Sequence, residues 1–284
     1  MKFQKGRNTV GLVLRTFATK SDLIPERVKQ VKAFVEKAVE TRLINRIDVL
    51  VWADKRYEGC DCGGTAEAMR RALVSNTVVS EVSSSDIFCG LLNYGVALQL
   101  RHGIDYSIIA SSEAVPYFSA ENLENMLAAA GKGALSVGLA ITELTESILE
   151  GRIANTFAMW HNASLVQVGG FDLVAAKPLR GELAAYLRGW TEKDGGREVF
   201  YHRAGVEEII PLIRLVDTFG PCIAPIRPVG EGVSYIVPDP RVDRTGYERH
   251  LQKMGTKRER QTAFAASIGA DLSYLKGGVM PEYR

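Results

Sequence analysis

The sequence predicts an α/β protein built on a mostly parallel, doubly wound sheet. Two observations lead there. Short apolar runs without polar alternation recur along the chain, as strands buried on both faces require. Stretches of helical period lie between them, the alternation that builds such sheets. At 284 residues, 46% hydrophobic and 24% charged, the chain suffices for one large domain or two small ones with a sizeable core.

The elements follow in order. Thr9 to Leu14 is the first apolar run, and Pro25 opens a helix in which Val28, Val31, Phe34, Val35, Ala38 and Val39 share a face. Ile47 to Trp52 is again strand-like, completing a β-α-β unit. Thr65 to Leu73 reads as a helix, Thr77 to Val82 as a strand, Ile87 to Leu100 as a helix closed by Arg101-His102-Gly103, and Tyr106 to Ala110 as a strand. Ser164 to Val168 reads as a further apolar strand, ending at Gly169-Gly170, where two residues without Cβ let the backbone turn sharply and approach a ligand. Asp172 stands just past that turn. Glu207 and Glu208 precede Ile209, Ile210, Leu212, Ile213 and Val216, so both acids fall in or before the first turn of a helix that stops near Gly220-Pro221. Two readings of these acids stand open: they complement the helix dipole, or they form one wall of an active site. Beyond Ile226, Pro228 to Asp239 lacks periodicity, Tyr247 to Ala270 reads as a basic helix or helix pair, and Gly277 to Arg284 reads as a tail.

Thirty-five Lys and Arg against 33 Asp and Glu leave a net charge of +2, which gives no case for nucleic acid as a partner. Residues 241–260 are locally basic, which suits either phosphate and anionic lipid or an ordinary solvated helix face. No apolar run approaches the ~18 residues of a membrane span, and no signal-peptide core is visible, so a cytoplasmic protein is expected. Cys60, Cys62, Cys89 and Cys222 fit that compartment; Cys60 and Cys62 lack the two further ligands that a closed zinc site needs.

In doubly wound sheets ligands bind beyond the carboxyl ends of the strands, which points at Thr16 to Thr19, at Asp54 and at Ala110 to Glu113. Neither G-x-G-x-x-G after the first strand nor a P-loop is present. The first crevice loop, Arg15-Thr16-Phe17-Ala18-Thr19, offers hydroxyls, backbone groups and an aromatic, and Asp54 suits either a nucleoside hydrogen bond or a surface pair with Lys55 or Arg56.

Taken in order, these pieces resemble the family 2 inverting glycosyltransferases of the GT-A fold, from about Thr9 to Ile226. The resemblance implies a Rossmann-like, mostly parallel sheet over residues 1–226 and a C-terminal helical extension, carrying the basic segment, over residues 227–284. It implies nucleotide contacts at Thr16-Phe17 and at Asn93 of the helical Asn93-Tyr94-Gly95, and a base contact at Asp54. The G-G-F-D signature matches Gly169 to Asp172, and the acidic pair at a helix start matches Glu207-Glu208. The reaction implied is one displacement at the anomeric carbon of a nucleotide diphosphosugar by an acceptor hydroxyl, sugar, lipid or protein. Glu207 or Glu208 would be the base, and Asp172 would bind a donor or acceptor hydroxyl. Trp160 and His161 lie where such enzymes line the acceptor site, with a core Trp and a surface strand His as the other reading.

One departure stands out. The family's metal-binding D-x-D falls at Ala110-Ser111-Ser112-Glu113, leaving one carboxylate. Glu113, assisted by Ser112 through a water, would then hold Mg or Mn at the diphosphate. Alternatively Arg249, Lys253, Lys257, Arg258 and Arg260 neutralise the leaving group, or the chain is a noncatalytic GT-A domain that binds a nucleotide or partner protein. A sugar nucleotidylyltransferase would carry a glycine-rich loop with following Arg and Lys after the first strand, which this chain lacks. The extension would cover the donor, bind the acceptor, mediate homo-oligomerisation or touch a membrane surface.

Overall fold

The computed structural model describes residues 8–18, 21–52, 62–74, 76–82, 89–139, 151–153, 157–173, 207–229, 269–283 and scattered positions between 241 and 266. Its sheet has seven strands: β1 (Val10–Thr16), β2 (Arg46–Trp52), β3 (Thr77–Val82), β4 (Tyr106–Ser111), β5 (Ser136–Leu139), β6 (Phe157–His161) and β7 (Ile223–Ile226), in the order β3-β2-β1-β4-β6-β5-β7. Every pairing is parallel except those of β6, which runs antiparallel to β4 and β5. This is the α/β class read from the sequence.

The absence of polar alternation in the strands has a direct cause. Val10, Leu12 and Leu14 of β1 enter one core while Val13 enters the other, and β2 divides likewise, with Ile47, Val49 and Val51 opposite Leu50 and Trp52. Helices α1 (Ile24–Thr41), α2 (Cys62–Ala72) and α4 (Ala120–Gly131) cover the first face. The second is covered by α3 (Cys89–Arg101), α5 (Asn162–Gln167), α6 (Ile209–Phe219) and α7 (Tyr274–Gly278). Pro25 begins α1 as expected, and Ser119 caps α4 by accepting from the Asn122 amide.

The run Ser164 to Val168, expected as a strand, is instead most of α5. Short apolar runs do not distinguish the two states by themselves. Here Leu165 is buried and Val166 exposed, and the His161 side chain caps the helix by accepting from the Ser164 amide.

The C-terminal residues do not form a free tail. Leu275 and Met280 enter the two cores, the Cys222 amide donates to the Gly278 carbonyl at 2.9 Å, and the Met280 amide donates to the Ile223 carbonyl at 3.0 Å. Val279 forms a parallel bridge with Ile223 at the edge of β7. A Cβ on Gly278 would overlap Val216, so this glycine lets α7 settle on α6.

One charge lies deep in the second face. Asp48 is fully buried, and the Arg46 guanidinium donates to it twice at 2.8 Å. Gln99 of α3 adds a third donor at 2.6 Å, which offsets the desolvation cost of the carboxylate. Space for the Gln99 carboxamide exists because position 11 is glycine; a Cβ there would overlap it. Asp48→Ala leaves both donors without their acceptor and is expected to cost on the order of 3 kcal/mol, read as a lowered urea midpoint.

Candidate active site

The sheet places the site. From β1 the chain crosses to β2 through α1 on one face, whereas β3 leads to β4 through α3 on the other, so the strand order reverses between β1 and β4. A crevice opens beyond the carboxyl ends of two such strands. Thr16 ends β1, and Ser111, paired with Arg15, ends β4. Among the described residues, the Thr16 and Ser111 hydroxyl oxygens are both buried without a hydrogen-bond partner, a costly state that a polar ligand group would relieve. Phe17 stands edge-on to the buried Trp52 at the end of β2, with ring centroids 6.0 Å apart. Ser112 and Glu113 begin the short 3-10 helix Ser112–Tyr117 that follows β4. Their side chains, like Asp54, lie outside the described residues. The ammonium of Lys37 ties this turn to α1 by donating to the Val115 carbonyl at 3.3 Å.

The Gly-Gly turn is held from two helices. Gly169 and Gly170 have φ of +90° and +68°, backbone that favours glycine. Asn93 of α3 grips the next residue in both directions: its Nδ2 donates to the Phe171 carbonyl at 2.8 Å, and the Phe171 amide donates to its Oδ1 at 2.8 Å. Gly170 faces this carboxamide, which a Cβ would meet at 2.5 Å. Asn93, expected as a nucleotide contact, is thus engaged in shaping the G-G-F-D turn. Arg214 of α6 donates to Asp172 Oδ2 at 3.2 Å and to the Val168 carbonyl at 3.5 Å.

Helix α6 runs back along the sheet before β7, so its first turn stands at the carboxyl edge. Glu208 is the residue before its first turn, and both Glu207 and Glu208 are buried. Glu208 Oε1 accepts from Gln261 Nε2 at 3.0 Å, and Gln261 Oε1 in turn accepts from Arg152 Nη1 at 2.7 Å. A neutral amide therefore stands between a guanidinium and a carboxylate.

Trp160 and His161 lie elsewhere. Trp160 is wholly buried, its ring edge-on to Phe171 at 5.1 Å. His161 pairs with Tyr106 at the amino end of β4, five residues and roughly 16 Å along the strand from Ser111. Its Nδ1 meets the Ser164 hydroxyl at 2.8 Å and accepts from the Ser164 amide at 3.3 Å. Burial pushes its imidazole below the ordinary 6.5, the nearby Asp105 carboxylate partly opposing.

The carboxyl edge thus gathers Thr16, Phe17, Ser111 and the acid pair. The G-G-F-D turn is pinned to the helices of the second face, with Trp160 packed beneath it and His161 at the opposite edge. Arg214, Gln261 and Arg152 escape sequence reading, because their partners lie 42, 53 and 109 residues away. Arg214 has one local signal, a charge set between Ile213 and Leu215 on a largely apolar helix. Among the described residues no three His, Cys, Asp or Glu side chains are grouped as metal ligands, and no helix is long and apolar enough to cross a membrane. The cationic run Arg249 to Arg260 falls almost wholly outside those residues.

No protein-family profile matches the chain, and no curated protein matches it in sequence. Among solved structures, 4-diphosphocytidyl-2C-methyl-D-erythritol synthase from Anaerococcus prevotii superposes at TM-score 0.43 and 8% identity, over 87% of this chain and 100% of that one. A cytidylyltransferase from Leptospira borgpetersenii gives 0.46 and 10%, over 90% and 96%. Residues 1–349 of TarS from S. aureus give 0.45 and 12%, over 92% of this chain and 70% of that one. Identities and scores this low say nothing of what this chain does.

Two outcomes are expected. Gly170→Ala forces an unfavourable φ and displaces Asn93, costing about 1–3 kcal/mol in urea unfolding. The second concerns pH. Since the folded chain binds the His161 proton less readily than the unfolded chain, stability falls as pH drops through about 6.5. His161→Asn keeps a capping side chain and flattens that dependence in thermal melts.

Proposed function

We propose that the protein is a transferase that moves a sugar from a nucleotide diphosphosugar to a hydroxyl acceptor with inversion. The observation that carries this reading is the buried carboxylate of Glu208, fixed by a hydrogen bond at the head of α6, on the carboxyl side of the sheet. Fixed orientation is what a general base requires. The donor nucleotide occupies the crevice at Thr16 and Phe17, its polar groups meeting the Thr16 and Ser111 hydroxyls, with Asp54, outside the described residues, as the base contact the resemblance implies. Glu208, with Glu207 beside it, takes the proton of the acceptor hydroxyl as that oxygen bonds to the anomeric carbon. The electron pair of the breaking carbon–oxygen bond leaves with the nucleoside diphosphate. Asp172, held by Arg214, binds a hydroxyl of donor or acceptor.

A Mg or Mn ion would lower the charge of the departing diphosphate, with Glu113 as its protein carboxylate. The described residues supply no ligand group for it, and no step above is routed through it. The basic residues of the extension serve the same charge in the metal-free form of the proposal. The Ala110 to Glu113 departure favours one other reading, a noncatalytic nucleotide-binding domain.

Thermal unfolding against UDP, GDP, CDP and dTDP, each with Mn and with chelator, separates these. A nucleotide at ~100 times its Kd adds about 2.7 kcal/mol. Stabilisation only with Mn selects the metal form, and stabilisation despite chelator selects the cationic form. Absence of any shift counts against the whole reading. Glu208→Gln is expected to keep the nucleotide-induced shift and lose about 100-fold or more in sugar transfer; a variant with full turnover would overturn the base assignment.

A further inference from the structure

Two ties join the C-terminal extension to the carboxyl edge of the sheet. At its start, the Asn122 side chain accepts from the Val229 amide at 2.7 Å and donates to the Tyr117 carbonyl at 2.9 Å, fixing the exit from β7 beside the turn that holds Ser112 and Glu113. Farther on, Gln261, itself buried, reaches Glu208. The end of the chain is then locked on β7 and α6 through Met280, Val279 and Gly278. The extension is thereby registered against the helix that presents the acids.

We propose that Gln261 is a positioning residue for the transfer reaction, fixing the Glu208 carboxylate from the extension; this rests on the transferase reading above. The geometry gives each end of the amide one task. Nε2 donates to Glu208 Oε1 at 3.0 Å, and Oε1 accepts from Arg152 at 2.7 Å. Arg152 has no acceptor of its own to offer, so its donation dictates which way the carboxamide points and presents the NH2 group to the acid. A leucine of similar size at 261 would fill the space and make neither bond. The amide orients the carboxylate through Nε2 while its Oε1 is held by Arg152. Gln261 touches no reacting atom; it acts through Glu208.

The test uses the full chain as wild type, Gln261→Leu, Glu208→Ala, which unlike Gln leaves the Gln261 amide no acceptor, and their double variant for unfolding, with Glu208→Gln and its Gln261→Leu double for turnover. Urea unfolding needs no substrate. A working tie makes the two substitutions non-additive, the double variant unfolding close to the midpoint of the worse single variant; simple addition of the two midpoint shifts overturns the proposal. Turnover is read as nucleoside diphosphate and free glucose released from UDP-, GDP-, CDP- and dTDP-glucose, with water in the place of the acceptor hydroxyl. Gln261→Leu is expected to lower kcat about ten- to hundredfold, the loss matching one hydrogen bond to a charged group, with donor KM unchanged. In the Glu208→Gln background it lowers kcat less than about twofold, since a residue acting through Glu208 has nothing left to act on. An equal loss in both backgrounds is what a purely structural Gln261 gives, and overturns the proposal. A wild-type chain that turns over none of the four donors, with the unfolding coupling intact, counts against the transferase reading and not against the tie.

Discussion

Helix α3 lies so close to β1 and β2 that a Cβ at position 95 would stand 2.6 Å from Val13 and 3.0 Å from Leu50. That approach sets much else. It delivers Gln99 to the buried Asp48, where the carboxylate needs a donor that its own strand cannot supply in full. It also delivers Asn93, four residues into the helix, to the Phe171 backbone, so the Gly-Gly turn is fixed relative to the sheet rather than to its own neighbours in sequence. A larger residue at 95 or 11 would lift the helix and loosen both contacts together, because packed interiors transmit displacement.

The acid wall obeys the same logic from the other side of the turn. Helix α6 presents Glu208 at its head and Arg214 midway, and the arginine grips Val168 and Asp172. Turn and acid pair thus share two rigid supports, α3 and α6. Short rigid elements hold side chains more closely than loops do. Around Glu208, the Gln261 amide gives both the carboxylate and Arg152 a hydrogen bond, which offsets part of the water each gives up.

The sequence was most legible where local pattern and tertiary burial agree. Strands β1, β2 and β4 lack polar alternation because both faces are covered, and α1 carries its apolar stripe and its initiating proline. The run 164–168 reads as a strand because five residues allow either period, and what decides it is a cap supplied by His161. The position of Glu208 just ahead of an apolar helix was readable from spacing; the amide that holds it was not. No spacing rule joins residues 53 apart, and Gln261 lies in a segment whose visible signal was its positive charge. Asn93 carried a motif signal, yet only its two bonds to Phe171 tell what that side chain does.

The bridge between Ile223 and Val279 changes the character of one side of the sheet. With Cys222 donating to Gly278 and Met280 to Ile223, the outer backbone groups at the start of β7 are already spoken for by the chain's own last residues. An exposed strand is a template on which another chain can extend a sheet. Among the described residues, the strand at the opposite margin is β3, with Glu81 turned to solvent, a charge that discourages such growth. The molecule is thus guarded against strand addition by two different means, self-coverage at one margin and electrostatic discouragement at the other.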